Sequence, residues 1–472
     1  MRDRPGDGSE QRGAHLAAED SRDEQARSFE EGGLLVADGF APHDADRWFE
    51  SLLDTELDPI SRESFEPSIV PVQMVLDCLG DPQKNYAAIH VAGTNGKGSV
   101  VAVASAILDA AGCSTGSFTS PDLGSVRERI KVYLNEIAKD EFDAELSAVA
   151  TLVDEFSLPK PSKFEALVAT ALSIFSNNGV EVAVVEVGMG GELDATNVLD
   201  ARVVVCTNIG TDHMAQLGGS REGIAKSKSG IVHGQSKVIL GDVDESYVEF
   251  FTKRTDEKVI RLGSEIKIES DLLAVGGRQI SFSTPRSRFE DIFAPLSGSF
   301  QSKNIALATA AAEEYLERGI PSDLLQSVLL DLKIPGRMEI VGHNPLCILD
   351  VAHNFEAASE LGKSLRDGFG YETGWVVLYA ATHKRDPRKF LEALGPSSID
   401  RLISVDLGLK IQVDPYDVAT AASSLGILST VAGDPGSALI AAREKLVEGQ
   451  LVLSTGSHYL VGGIRRLLLG FD

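Results

Sequence analysis

Tyr86-Ala87-Ala88-Ile89-His90-Val91-Ala92-Gly93-Thr94-Asn95-Gly96-Lys97-Gly98-Ser99-Val100-Val101-Ala102-Val103-Ala104-Ser105-Ala106-Ile107-Leu108 is the stretch that decides the fold. It opens with an apolar run that reads as a buried strand. It ends in another, from Val100, that reads as a buried helix closed by Gly112. Between them lies a glycine-rich turn carrying Gly-Lys-Gly-Ser. Strand, turn and helix in this order form a phosphate cradle. Glycines let backbone N–H groups converge on phosphate oxygens, and the helix N-terminus adds partial positive charge. Gly93, Thr94, Asn95, Gly96, Lys97, Gly98 and Ser99 are therefore read as a nucleoside triphosphate site. Lys97 is expected at the terminal phosphates and the Ser99 hydroxyl on Mg²⁺.

The same pattern of apolar strand, turn and helix repeats outward from this stretch. Strand candidates at 182–185, 203–206 and 238–240 alternate with helical patterns, which predicts a mostly parallel sheet covered on both faces. The pattern shifts at about 258–300. Short alternating segments at 259–262, 266–268 and 279–282 suggest a small appended antiparallel sheet. Helices follow at 301–318 and near 322–332, and Lys333-Ile334-Pro335-Gly336 reads as a hinge linker. A second, Rossmann-like α/β unit runs from about 340, with strands at 346–349, 375–378, 402–405 and 451–453. Residues 1–33 are polar and charged, nearly free of large apolar side chains, and read as a disordered acidic extension. Residues 34–85 mix short amphipathic helices with turns. The expected organisation is thus an extension (1–33), a central ATP-binding domain (34–333), a hinge (334–339) and a C-terminal domain (340–472).

A chain of 472 residues exceeds one ordinary core, in keeping with this division. Its net charge of −26 argues against nucleic acid as a main partner, because phosphate backbones need a basic surface. ATP needs only a local basic cluster, and the acidity is read as serving solubility or a salty habitat. Cys78, Cys113, Cys206 and Cys347 form no C-x-x-C pair, which suits a reducing cytoplasm. There is no charged-then-apolar N-terminal signal and no run approaching the roughly 18 apolar residues of a membrane helix. A cytoplasmic protein without a membrane partner is expected.

In open α/β sheets, ligands bind beyond the carboxyl ends of strands. That rule selects Glu186, Asp212-His213, Asp350 with His353-Asn354, and Ser454, Ser457 and His458. Any one of these alone reads equally well as a cap or turn residue. Together with the phosphate loop they argue for a site. Glu186 beside a triphosphate needs Mg²⁺ between the anions. Gly188-Met189-Gly190-Gly191, just after it, permits close backbone approach to a ligand.

Further motifs fall in a fixed order: Thr119-Ser120-Pro121, Glu128-Arg129-Ile130, Phe164-Glu165, Glu186 to Gly191, Leu193-Asp194-Ala195-Thr196-Asn197, Asp212-His213 with Leu217-Gly218, and Ile224-Ala225 with Lys228. Gln301 with Asn304, Pro335-Gly336-Arg337-Met338-Glu339, Asp350 with Ala352-His353-Asn354, and Thr455-Gly456-Ser457 complete it. This ordered set resembles the folylpolyglutamate synthase/dihydrofolate synthase family, within the Mur-type ATP-dependent amide ligases. The likeness runs from about Leu76 to Arg466.

The resemblance implies that ATP phosphorylates a carboxylate and that the amino group of L-glutamate attacks the acyl phosphate. The acceptor is a folate or a dihydropteroate, and a monomer is expected. Lys97, Glu186, His213, Lys228, Asp350 and His353 form the implied catalytic set. Ser99, Ser120, Glu186 and His213 are implied ligands of one or two Mg²⁺. Lys228 is implied to carry a CO₂-derived carbamate near the second metal, although sequence alone favours a surface helix lysine. Asn304, Arg337 and Asp350 are implied contacts of ATP, with Gln301 near the adenine. His353 and Ser457 are implied to place the glutamate or the acyl phosphate. Phe164, Glu165, Leu193, Asp194 and Ala195 are implied substrate residues, lining a pterin pocket.

The sequence departs from the family pattern at Asp122, Glu192, Ser227, Val351 and Phe355, and keeps only part of an Asp-Lys-Asp motif in His383-Lys384-Arg385-Asp386. Asp122 and Glu192 add negative charge beside the presumed folate site and point to an altered substrate preference. Two other readings share these motifs: a Mur-type ligase for another carboxylate, and a nucleotide-binding homologue without catalysis.

Overall fold

The computed structural model describes residues 42–57, 68–369, 374–382 and 385–470. The extension expected at 1–33 and the pair His383-Lys384 lie outside the described residues. In chain order the strands are β1 (Ala87–Ala92), β2 (Thr115–Phe118), β3 (Ile130–Val132), β4 (Asn135–Glu136), β5 (Val182–Glu186), β6 (Val203–Asn208), β7 (Lys237–Asp242), β8 (Val259–Arg261), β9 (Lys267–Ala274), β10 (Gly277–Ser283), β11 (Arg288–Ala294), β12 (Glu339–His343), β13 (Leu346–Leu349), β14 (Trp375–Tyr379), β15 (Ile399–Val405), β16 (Leu428–Ala432) and β17 (Leu451–Thr455).

The first lobe is built on an eight-stranded sheet of order β4-β3-β2-β5-β1-β6-β7-β8. It is parallel from β2 to β8, and β3 and β4 add an antiparallel edge. The central strands are apolar throughout because both faces are covered. Ile89 and Val91 of β1 and Val184 of β5 pack under the helices Lys97–Ala110 and Phe300–Leu316. Ala88, Ala183 and Val185 alternate to the other face, under the helices Val70–Cys78, Lys139–Glu155 and Lys163–Asn177. Each Val or Ile so buried contributes roughly 1.5–3 kcal/mol.

Residues 259–262 do not join the small antiparallel sheet, as expected from their alternation. Val259–Arg261 is the eighth strand of the large sheet, parallel to β7 with Val238 opposite Val259. The helix Glu245–Thr252 supplies the crossover that a parallel neighbour requires. The small sheet has the order β11-β10-β9 and is antiparallel. Phe282 and Phe289 stack within it, their ring centroids 4.7 Å apart.

The second lobe carries a six-stranded sheet, β12-β13-β17-β14-β15-β16, parallel except for β12. The lobes touch where the helix His458–Leu469 meets the loop after Pro121. A Cβ on Gly462 would lie 1.6 Å from the Leu123 carbonyl oxygen, so only glycine allows this seat. Among the described residues, no helix is long and apolar enough to cross a membrane.

Candidate active site

Loops at the carboxyl ends of both parallel sheets converge on one cavity of about 780 Å³. Its floor is the glycine-rich loop from Gly93, the candidate phosphate loop. Gly93 sits at φ +148°, and a Cβ there would lie 1.8 Å from Thr207 Oγ1. Gly96, at φ +85°, caps the helix Lys97–Ala110, and a Cβ there would lie 2.5 Å from Asn304 Oδ1. Neither position admits a side chain. The end of β6 braces the loop. Asn208 Oδ1 accepts from the N–H groups of Thr94 and Asn95 at 3.1 and 3.0 Å, and Thr207 Oγ1 donates to the Asn95 carbonyl at 2.6 Å. Sequence reasoning missed Thr207 and Asn208. Their signal was a polar pair closing the apolar run of β6.

Glu186 ends β5 with 4% exposure. Its Oε1 lies 3.6 Å from Lys97 Nζ, and its Oε2 accepts from the Ser120 N–H at 3.3 Å. Burial pushes its carboxyl up, while Lys97 and Arg337 pull it back. A Cβ on Gly98 would stand 3.2 Å from Glu186 Oε2, so the glycine leaves this space open. Ser99 Oγ is buried and has no hydrogen-bond partner among the described residues. Among those residues, no three His, Cys, Asp or Glu side chains group as a metal centre. An orphaned hydroxyl and one acid beside a phosphate cradle fit Mg²⁺, which keeps most of its waters and takes the rest of its ligands from one or two carboxylates and the nucleotide.

Lys228 lies in the helix Arg221–Ser229. It is not the surface lysine that sequence alone favours. It is 4% exposed, and its Nζ donates to the Gly93 carbonyl at 2.9 Å. Burial, with the nearby Lys97 charge, brings its ammonium down to about 8. His213 faces the same cavity from the loop after β6, with φ at +56°.

The opposite wall belongs to the second lobe. Asp350, beyond β13, accepts from the N–H groups of Met338 and Ala352 at 2.9 and 2.8 Å. Burial raises its carboxyl and Arg337 opposes the shift. His353 Nδ1 lies 2.9 Å from the Val351 carbonyl and donates to it. His353 Nε2 faces Asp212 Oδ2 at 3.3 Å. The His458 ring stands 5.4 Å from that of His353. Burial, reinforced by the charge of His353, keeps His458 well below the ordinary histidine range. Asn354 Nδ2 donates to Asn95 Oδ1 at 3.0 Å, across the lobes.

Asp212 also takes both terminal nitrogens of Arg385. Burial works against its ionisation, but the hydrogen bond to His353 and the nearby His213 and Arg385 hold the carboxyl far below the usual carboxylate range. Arg385 appeared in the sequence only as part of a degraded motif.

Several expected residues stand outside the cavity wall: Gly98, Gln301, Phe164, Glu165, Leu193, Asp194, Ala195 and Ser457. Gln301 accepts from Asn304 Nδ2 at 3.0 Å and so orients it. The Glu165 carboxylate closes a capping box with Ser162, accepting from the Ser162 N–H at 2.6 Å. Asp194 accepts from the Met189 N–H at 2.7 Å and from both donors of Thr196, which itself pairs with buried His90. Asp194 thereby fixes the turn at 188–191. The ring of Phe164 fills the space beneath Gly188, where a Cβ would lie 2.4 Å from its Cζ. Leu193 is exposed and Ala195 is buried. Ser457 caps the helix His458–Leu469 through the Tyr459 N–H.

Residues 91–312 match the Mur ligase middle domain, and residues 336–458 match the Mur ligase glutamate ligase domain. The dihydrofolate synthase/folylpolyglutamate synthase of Mycobacterium tuberculosis is 34% identical over 354 residues, covering 70% of this chain and 72% of that protein. That of Bacillus subtilis is 30% identical over 418 residues, covering 85% and 95%. The chain belongs to the dihydrofolate synthase/folylpolyglutamate synthase family. It is an ATP-dependent ligase with the family's α/β architecture. Folylpolyglutamate synthase of M. tuberculosis complexed with ADP superposes with a TM-score of 0.83 at 30% identity, covering 91% of this chain and 98% of that one. Escherichia coli FolC in complex with DHPP and ADP superposes with a TM-score of 0.79 at 25% identity, covering 90% and 98%.

The two acidic departures from this family take partners of their own. Glu192 is half-exposed and pairs with Arg254 at 3.1 Å. Asp122 pairs with Arg129 Nε at 2.7 Å, and the same guanidinium grips Glu56 at 2.9 and 2.8 Å.

Proposed function

We propose that this enzyme joins L-glutamate to the carboxylate of a dihydropteroate or a folate, using ATP and one or two Mg²⁺, through an acyl phosphate. One observation carries the reading. A triphosphate cradle on the first lobe faces Arg337, Asp350 and His353 of the second across a single cavity.

The loop N–H groups and Lys97 hold the phosphates, and Arg337 grips them from the other side. A carboxylate oxygen of the acceptor attacks the γ-phosphorus, and the bond to the ADP oxygen breaks. The glutamate amine then attacks the acyl carbon, loses a proton, and expels inorganic phosphate. His353 and Ser457 act on the glutamate side: His353 through its imidazole, Ser457 by starting the helix that carries His458. Holding both reactants in one closed site supplies orientation and keeps out the water that would hydrolyse the acyl phosphate. The hinge at 334–339 lets the lobes close on the substrates.

Ser99, Ser120, Glu186 and His213 would hold Mg²⁺, with Lys228 joining them as a carbamate. Bound there, Mg²⁺ neutralises phosphate charge beside Glu186. A lysine that sheds its proton at about pH 8 is nucleophilic enough to take up CO₂, which supports the carbamate. The cysteines are free thiols, which supports a reducing cytoplasm, where we take the enzyme to act as a monomer.

The test is phosphate release by the purified enzyme with ATP, Mg²⁺, L-glutamate and either dihydropteroate or tetrahydrofolate. Release should require all components, and the product should gain one glutamate. No turnover with either acceptor overturns the substrate assignment.

A further inference from the structure

Three residues of the second lobe converge on Asp212 of the first. Arg385 grips it with both terminal nitrogens, Nη2 reaching Oδ2 at 3.1 Å. His353 Nε2 lies 3.3 Å from the same oxygen, and Asn354 Nδ2 donates to it at 3.2 Å. The neighbouring residue is held the same way. The N–H and Oγ1 of Thr211 both donate to Glu356 Oε1, at 2.9 and 2.7 Å. Arg385 is itself placed firmly, because the next residue, Asp386, is the N-cap of the helix Pro387–Leu394 and accepts from the N–H groups of Arg388 and Lys389.

The loop so gripped has two other duties. At one end Asn208 braces the backbone of the phosphate loop. At the other, His213 faces the cavity directly after Asp212. A force applied at Asp212 therefore reaches both the phosphate cradle and the metal side of the site.

We infer that Arg385 is a positioning residue whose two-pronged grip on Asp212 sets the 208–213 loop in its working place when the lobes are together. Its guanidinium spends its bonds on Asp212, so its effect on catalysis passes through that residue. The planar guanidinium matters because two parallel N–H···O bonds fix direction as well as distance, which an ammonium cannot do. The inference takes the cavity to be the ligase site, as proposed above, but the grip itself is measurable without turnover.

The experiment uses the full chain with R385M, R385K and D212N, and the double variant D212N/R385M. Three readings are expected. R385M lowers kcat by about ten- to hundredfold, the scale of a small misplacement of reacting groups, with R385K in between. The double variant is no slower than the slower single variant, since both remove one interaction. Amide hydrogen exchange at 208–213 quickens in R385M without any substrate present, while its melting temperature stays close to that of the unmodified enzyme. Multiplied effects in the double variant, or a rise confined to the glutamate KM, overturn the inference. So does unchanged exchange at 208–213. If the unmodified enzyme turns over neither folate acceptor, the substrate reading fails alone, and the exchange measurement still decides the grip.

Discussion

Lys228 Nζ lies 2.9 Å from the carbonyl oxygen of Gly93, so a buried amine touches the first residue of the phosphate loop. An ammonium there would crowd Lys97, which is one cause of its lowered proton affinity. A carbamate instead presents oxygens to the cavity. Under ¹³CO₂, a carbamate carbon should appear by NMR in the unmodified protein and be missing in K228M. Activity should fall in CO₂-stripped buffer and return with bicarbonate. A fully active enzyme with an unmodified lysine ends the idea.

Glu186→Gln keeps the size of the side chain and removes its charge. With Mg²⁺ and ATP, kcat should fall about 10²- to 10³-fold, the scale for loss of one electrostatic partner of the transition state. Without metal the sign reverses. ADP in the presence of EDTA should bind E186Q at least as tightly as the unmodified enzyme, because the carboxylate no longer repels phosphate. Calorimetric titration with and without metal checks both halves.

His90 is buried in β1, with Nε2 2.8 Å from Thr196 Oγ1, and burial lowers its imidazole from the usual 6.5 to about 3. The unfolded chain therefore takes up a proton that the folded chain refuses. The stability from keeping His90 neutral is complete above pH 6.5 and drains away as pH falls towards 3. By pH 5 the loss should reach about 2 kcal/mol. Urea unfolding at pH 7 and pH 5 should show a loss at least this large in the unmodified protein, to which buried His458 adds its own share, and the loss in H90N should be smaller by about 2 kcal/mol. Equal losses in both would refute the assignment.

Glu192→Gln should leave the KM for either pteroyl acceptor within about twofold, because its carboxylate is engaged by Arg254 at the surface. Asp122→Asn should change it by no more than about threefold, since Arg129 keeps its two bonds to Glu56. A switch of acceptor in either variant would return these departures to the centre of substrate choice.

The strand, glycine turn and helix around 93–99 were legible because their glycines stand between a buried strand and a buried helix, the spacing of a phosphate cradle. Most central strands of both sheets were legible as unbroken apolar runs, but buried Thr115–Phe118 was not, because Thr-Gly-Ser-Phe carries a single large apolar side chain. Edge strands were not. β11 and β12 mix charged with apolar residues and β16 mixes hydroxyls with apolar residues along half-buried faces, so they look like loops in sequence. Val259–Arg261 was given the wrong neighbour because pairing is decided by the crossover helix before it, not by its own alternation. The motifs located Glu165, Asp194 and Ser457 but did not show the helix-start contacts each one makes. Acids and serines at helix starts satisfy free N–H groups, and all three side chains do so here. The burial of Lys228 was hidden because Arg-Glu-Gly-Ile-Ala-Lys-Ser-Lys-Ser reads as a solvated helix. The grip of Arg385 was hidden because its partner stands 173 positions away.

The gap between Gly96 and Asn304 is narrower than a single methyl group would need. A side chain at residue 96 needs both a strained backbone and a retreat of Asn304, so the pair can drift only after Asn304 shrinks. With the nucleotide placed as proposed, that tells anyone re-engineering the enzyme for a bulkier analogue where to carve. Room must come from trimming Asn304 or its neighbours on the helix Phe300–Leu316, with residue 96 left untouched.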